Sequence, residues 1–246
     1  MSETQTRRVL VTGSSRGIGR ALALGLAQDG YEVIVHCASN REKAEETRKL
    51  IEEKGGKAFV VTGDLTDPCT AERLMAEVGP LDALVLDASL QIRRPWSEIS
   101  LEEYEKQMTC NFYSSLRLIQ LAVPHMKAQK WGRIVTIGSV QERKPHPDML
   151  VYSASKAAQT NMAQSLAQQL AADGITVNNV APGVIFTDRN VEALSDPTYA
   201  AEVTASIPAG FYGEPRDCTG VVRLLLSDAA RYITGQSIYV DGGKSL

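Results

Sequence analysis

The chain has 246 residues, of which 43% are hydrophobic and 22% charged, with a formal net charge of −3. That is the composition of a soluble globular protein, and the acidic balance excludes a non-specific nucleic-acid binder, which needs a basic surface. No apolar run of about 18 residues offers a membrane span.

Met1-Ser-Glu-Thr-Gln-Thr-Arg-Arg8 lacks the apolar core of a signal peptide. Arg8–Thr12 reads as a buried strand. A helix follows over 18–28 and ends before Gly30. Glu32–His36 is the next strand, and Glu42–Lys54 is a charged amphipathic helix stopped at Gly55-Gly56. Further strands are read at Ala58–Thr62, Ala83–Leu86, Arg133–Ile137 and Thr176–Val180, with long helices over 101–129 and 152–172. A last helix over 217–227 precedes a strand at Ser237–Val240. Strands alternating with helices predict an α/β fold: one Rossmann-type, doubly wound parallel sheet covered by helices on both faces. No repeat, linker or low-complexity stretch divides 1–246, so a single domain is expected. Cys37, Cys69, Cys110 and Cys218 lack metal-ligand spacing, and His36, His125 and His146 suggest no metal site. The cysteines read as reduced thiols of a cytoplasmic protein.

Thr12-Gly13-Ser-Ser15-Arg16-Gly17-Ile18-Gly19 lies between the first strand and the first helix. Glycines there let the backbone turn tightly and approach a pyrophosphate. The helix start offers that anion its free amides and the positive end of the dipole. The second strand ends in His36-Cys-Ala-Ser39-Asn40-Arg41, without the acid that would bind a ribose 2′-hydroxyl. Arg16 and Arg41 can face a 2′-phosphate instead, which favours NADP(H) over NAD(H). Tyr152-Ser-Ala-Ser-Lys156 places a phenol and an ammonium four residues apart on one helix face. The positive charge favours the phenolate and lowers its pKa, so the pair can exchange a proton with a substrate oxygen.

Together these segments make the chain resemble the short-chain dehydrogenase/reductases over essentially its whole length. The glycine loop matches that family's cofactor loop. Asp64-Leu65 matches its adenine contact, and Asn111, Ser139, Tyr152 and Lys156 match its catalytic tetrad. Pro182-Gly183-Val-Ile185-Phe-Thr187 matches the nicotinamide segment, and 232–243 the C-terminal strand. The resemblance implies that Tyr152 is the general acid or base and that Lys156 tunes it and binds the nicotinamide ribose. It implies that Ser139 holds the substrate oxygen and that Asn111 holds a water linking Lys156 to solvent. It also implies a homotetramer and no metal. One stretch departs from the pattern. Leu86-Asp87-Ala88-Ser89 stands where the family has Asn-Asn-Ala-Gly, so Ser89 replaces a glycine beside the cofactor.

The substrate is less legible. Gln91, Arg93 and Arg94 form a Gln-x-Arg-Arg loop similar to those of members acting on sugar acids, and an arginine there can pair a carboxylate. Gln141 and His146 line a polar stretch before Tyr152, and 188–211 fits the family's substrate lid. The expected reaction interconverts a carbonyl and a secondary alcohol in a small polar substrate: a sugar acid, a polyol or a ketone. Reduction of a 3-oxoacyl thioester is the alternative. A nucleotide-binding regulator without catalysis is the competing class, and the intact tetrad speaks against it.

Overall fold

The computed structural model describes residues 6–246; residues 1–5, within the stretch read as lacking a leader, lie outside it. Seven parallel strands form the sheet: β1 (Arg8–Thr12), β2 (Glu32–Cys37), β3 (Lys57–Thr62), β4 (Ala83–Leu86), β5 (Gly132–Ile137), β6 (Ile175–Pro182) and β7 (Ser237–Val240). Their order is β3-β2-β1-β4-β5-β6-β7. The chain therefore reverses its winding between β1 and β4, and ligands bind at such switch points, beyond the carboxyl ends of the strands.

Among the described residues eight α-helices accompany the sheet: α1 (Gly17–Gln28), α2 (Arg41–Glu52), α3 (Thr70–Val78), α4 (Leu101–Met108), α5 (Ser114–Ala128), α6 (Leu150–Leu170), α7 (Pro197–Ala205) and α8 (Thr219–Leu226). Alternation along the strands divides the core in two. Val9, Val11, Val33, Val35, Val85 and Val135 face Leu22 and Leu26 of α1 and Leu225 and Leu226 of α8. Leu10, Ile34, Leu84 and Ile134 face the other way, onto Leu74 of α3, Leu118 and Ile119 of α5, and Ala163 and Ala167 of α6. Successive strand side chains point to opposite faces, so a central strand must be apolar throughout.

Three features differ from the sequence expectations, the first being α7, a short helix within the stretch read only as a lid. α3 was not expected, although Leu74 and Val78 follow helical spacing and Gly79 ends the segment at φ +71°. Its mixed polarity and nine-residue length hide it. The single helix expected over 101–129 is two α-helices joined by a π-turn over Thr109–Tyr113. The first of them begins at a capping box, in which Ser100 Oγ accepts from Glu103 N and Glu103 Oε2 accepts from Ser100 N.

Among the described residues no helix is long and apolar enough to cross a membrane, no cluster of acidic, histidine and cysteine side chains could hold a metal, and all four cysteines are free.

Candidate active site

The glycine loop sits on the carboxyl end of β1. Gly13 has φ +71°, and a Cβ there would lie 3.0 Å from Ala88 Cα. A Cβ on Gly19 would lie 2.5 Å from the Gly13 carbonyl oxygen and 2.8 Å from Asp87 Oδ2. Only glycine fits at these two positions. Thr12 Oγ1 accepts from the amides of Asp87 and Ala88, each at 3.0 Å, and ties the ends of β1 and β4 together.

His36 fixes the loop from below. Its Nδ1 accepts from Gly13 N at 3.1 Å, which leaves Nε2–H to donate to Gly63 O at 2.9 Å. Burial pulls its pKa down to about 4, so the imidazole is neutral in the folded chain near pH 7. This role was not legible in the sequence, where His36 reads only as a strand residue.

The first turn of α1 carries no acid, and Arg16 at its N-cap makes no side-chain capping bond. Its amides and dipole are therefore left to an external anion. Bare glycines beneath an uncapped helix start fit the pyrophosphate of a dinucleotide. Ser15 and Ile18 complete this loop, with Ile18 packed against the core.

At the end of β2, where the sequence reading expects the adenosine, the side chains divide. Asn40 caps α2 through Oδ1, which accepts from Lys43 N at 3.0 Å, and Ser39 O accepts from Arg41 N at 3.0 Å. Arg41 pairs with Glu45 on its own helix at 3.3 Å. Arg16 and Lys43 approach the same Asp188 Oδ2, at 3.8 and 3.7 Å. The two cations that converge are thus Arg16 and Lys43 rather than Arg16 and Arg41. Asp64 forms a local turn, its Oδ1 accepting from Thr66 N, while Leu65 is buried in the core.

The catalytic candidates gather at the ends of β4 and β5. Ser139 follows β5 in extended conformation, and its Oγ accepts from Gln141 N at 3.2 Å. Tyr152 and Lys156 lie on the buried face of α6, 6% and 1% exposed. Lys156 Nζ donates to Ile137 O at 2.6 Å and to Gln159 Oε1 at 3.2 Å, and stands 5.9 Å from the centre of the Tyr152 ring. Burial lowers its pKa to about 8, against the pull of Asp87.

The phenol departs from expectation. Burial raises the Tyr152 pKa. The lowering influences come first from the Arg189 guanidinium and then from hydrogen bonding with Ser139. Lys156 was expected to supply that lowering, but its ammonium is turned to the β5 carbonyl and Gln159. Burial lifts the pKa of the Asp87 carboxyl to about 6, against the pull of the Lys156 and Arg189 cations.

Asn111 sits within the π-turn, where the ladder opens. Its Oδ1 accepts from Leu90 N at 2.7 Å, and its Nδ2 donates to Leu90 O at 2.9 Å and Ser155 Oγ at 2.9 Å. It pins the loop after β4 to α6.

The nicotinamide segment leaves β6 at Pro182. Gly183 N donates to Val240 O, and a Cβ on Gly183 would lie 2.7 Å from Asp241 Cα. Ile185 is buried, and Thr187 lies beside Gly17, 3.5 Å from where a Cβ of that glycine would stand.

The substrate candidates separate. Arg94 is committed to Glu103 at 2.7 Å, whereas Arg93 is exposed. Gln107 Oε1 accepts from Ile92 N and holds the same loop, and Gln91 is partly buried within it. Gln141 Oε1 accepts from Ser153 Oγ at 2.9 Å, and His146 Nδ1 accepts from Asp148 N. The sequence reading missed Arg189. No motif marks it, and only its place two residues after Thr187 could have drawn notice.

A switch-point glycine loop facing a buried Tyr-Lys pair and a strand-end serine is the arrangement of a dinucleotide-dependent oxidoreductase. Residues 7–198 match the family model described as short chain dehydrogenase, and the chain belongs to that family. It is 38% identical over 242 residues to a 3-oxoacyl-[acyl-carrier-protein] reductase of Staphylococcus aureus, covering 97% of this chain and 98% of that one. Among solved structures, a 3-oxoacyl (acyl-carrier-protein) reductase from Agrobacterium tumefaciens with NADP bound superposes with a TM-score of 0.92. It is 37% identical, and the match covers 96% of this chain and 93% of that chain. A gluconate 5-dehydrogenase from Burkholderia cenocepacia, in complex with NADP and tartrate, gives 0.89 at 30% identity, with 97% and 95% covered.

Proposed function

We propose that the chain is an NADPH-preferring reductase that interconverts a carbonyl and a secondary alcohol in a small polar substrate, with Tyr152 as acid or base. The observation that carries this reading is the buried Tyr152 phenol. It lies beside Ser139, on the same helix face as Lys156, at the sheet end where the glycine loop opens. The nicotinamide supplies or accepts the hydride. Gly13, Gly17 and Gly19 with the start of α1 would hold its pyrophosphate, and Arg16 with Lys43 a 2′-phosphate. Ser139 Oγ would donate to the substrate oxygen as charge develops there. Tyr152 Oη gives that oxygen a proton in reduction and takes it back in oxidation. Lys156 holds its ammonium beneath the site against Ile137 O and Gln159.

The NADP named for two of the similar structures supports the cofactor preference. A gluconate dehydrogenase crystallised with tartrate, a hydroxy acid, supports a polar and acidic substrate. Reduction of a 3-oxoacyl thioester is the second reading, favoured by the 38% identity to the S. aureus reductase.

Absorbance at 340 nm during incubation with NADPH tests both readings. One set of reactions holds oxo-sugar acids and ketoses, the other acetoacetyl thioesters. Oxidation of NADPH by the first set alone supports the main reading, and by the second alone the other. No oxidation by either refutes the oxidoreductase reading.

A cytoplasmic homotetramer completes the proposal. Free cysteines suit a reducing compartment. Trp96, Leu101, Tyr104 and Leu150 expose apolar surface around α4 and the start of α6, as an association face would. The alanines of α6 do not form one such face: Ala163 and Ala167 are buried within the chain, whereas Ala157 is exposed.

A further inference from the structure

Arg189 enters the site from the start of the lid, two residues beyond Thr187. Its Nη2 donates to Ser89 O at 3.0 Å and to Ser89 Oγ at 3.1 Å. The guanidinium therefore lies at the end of β4, across the cleft from α6, and near enough to Tyr152 to bear on its phenol. Among the described residues no carboxylate lies within ion-pair distance of Arg189, whereas Arg16, Arg41 and Arg94 are each paired.

A guanidinium carries five N–H donors in a fixed fork. The two Ser89 acceptors share a single nitrogen of Arg189; the remaining N–H groups reach towards Tyr152 and, on an exposed side chain, leave donors for a ligand. Ser89 is also where this chain departs from the Asn-Asn-Ala-Gly pattern. A glycine there would have the carbonyl but not the Oγ. The substitution and the arginine therefore act together: the serine hydroxyl steadies a cation beside the proton donor. Arg93 and Arg189 are both exposed, and of the two Arg189 is bonded to the segment after β4; Arg94 is tied to Glu103 and the Lys156 ammonium to Ile137 O and Gln159.

We infer that Arg189, held by Ser89, is the residue that selects a carbonyl substrate bearing a carboxylate, by pairing that carboxylate with the free part of its fork. This rests on the oxidoreductase reading and narrows it to oxo acids. Charge-assisted pairing with two parallel bonds is specific to a planar anion, and lysine, a point charge, reproduces only part of it.

The test compares two probes, 5-oxogluconate and L-sorbose, which differ by a terminal carboxylate against a terminal hydroxymethyl. The quantity read is the ratio of their kcat/KM values with NADPH. Wild type favours the acid. R189M lowers that ratio roughly 10- to 150-fold, the worth of a charge-assisted hydrogen bond. R189K lowers it less, and S89G lowers it in the same direction by loosening the guanidinium. A wild type without preference for the acid, or a ratio unchanged in R189M, overturns the inference. If wild type reduces neither probe, the oxidoreductase reading has failed for these substrates, and calorimetric titration of both probes into NADPH-loaded wild type and R189M decides the inference alone. Tighter binding of 5-oxogluconate that is lost in R189M supports it; equal binding by the two proteins, or none by wild type, overturns it.

Discussion

At the scale of single residues, burial decides the chemistry more than sequence spacing does. Tyr152 and Lys156 were legible from their four-residue separation, because a helix brings i and i+4 to one face. Spacing could not show that the ammonium would turn to Ile137 O, nor that a lid arginine would approach the phenol. Tyr152→Phe should lower turnover roughly 100- to 10,000-fold, the usual worth of general acid–base catalysis, while NADPH fluorescence titration shows cofactor binding retained. Lys156→Ala should impair both, since the same ammonium is proposed to serve the phenol and the ribose; unchanged cofactor affinity would contradict the ribose contact. His36 carries a pH dependence. Its folded pKa of about 4 lies below the ordinary 6.5, so below pH 6.5 the unfolded chain takes up a proton that the folded chain refuses. Stability from this group is whole above pH 6.5 and is lost as pH falls towards 4, by an amount on the order of 3 kcal/mol. Denaturant titrations from pH 7 to 4 should show a steeper loss for wild type than for His36→Asn, and parallel curves would refute it.

At the scale of elements, the strands were readable because central parallel strands are apolar throughout. All seven were expected within a residue or two of where they lie. The helices were harder. α3 is short and its buried residues are diluted by polar ones, so its periodicity is weak. The π-turn left only Asn111 as a trace, a poor helix former inside a long helical pattern. Its cause is tertiary: Asn111 must face Leu90 and Ser155 at once, and an opened ladder lets it. Asn111→Leu should therefore leave the Leu90 amide and carbonyl unpaired and cost about 1–3 kcal/mol per buried group that stays unsatisfied, read by urea unfolding. Loss of activity without loss of stability would show that Asn111 acts other than by holding that loop.

At the scale of the whole molecule, sheet order fixes the address of the site. The reversal between β1 and β4 opens the crevice into which Gly13, Asp87, Ser139 and Tyr152 are brought from distant parts of the chain. The fold class and this placement could be read from strand–helix alternation and the glycine loop. Substrate choice could not, since it depends on loops whose side chains pair with neighbours, as Arg94 does with Glu103. Preference for NADPH follows from the missing acid after β2 and from the convergence of Arg16 and Lys43. Ala38→Asp should shift the kcat/KM ratio towards NADH, and a wild type that prefers NADH would contradict the account. The exposed apolar side chains around α4 and the start of α6 predict a tetramer in light scattering at micromolar concentration, against which a monomer would tell.

The measurement that bears most directly on the central claim is NADPH oxidation at 340 nm with an oxo-acid substrate, in wild type and in Tyr152→Phe whose cofactor binding has been verified. The account predicts steady turnover in wild type and a loss of roughly 100-fold or more in the variant. A variant that keeps more than about half of the wild-type activity, against that 100-fold expectation, would contradict the role of Tyr152.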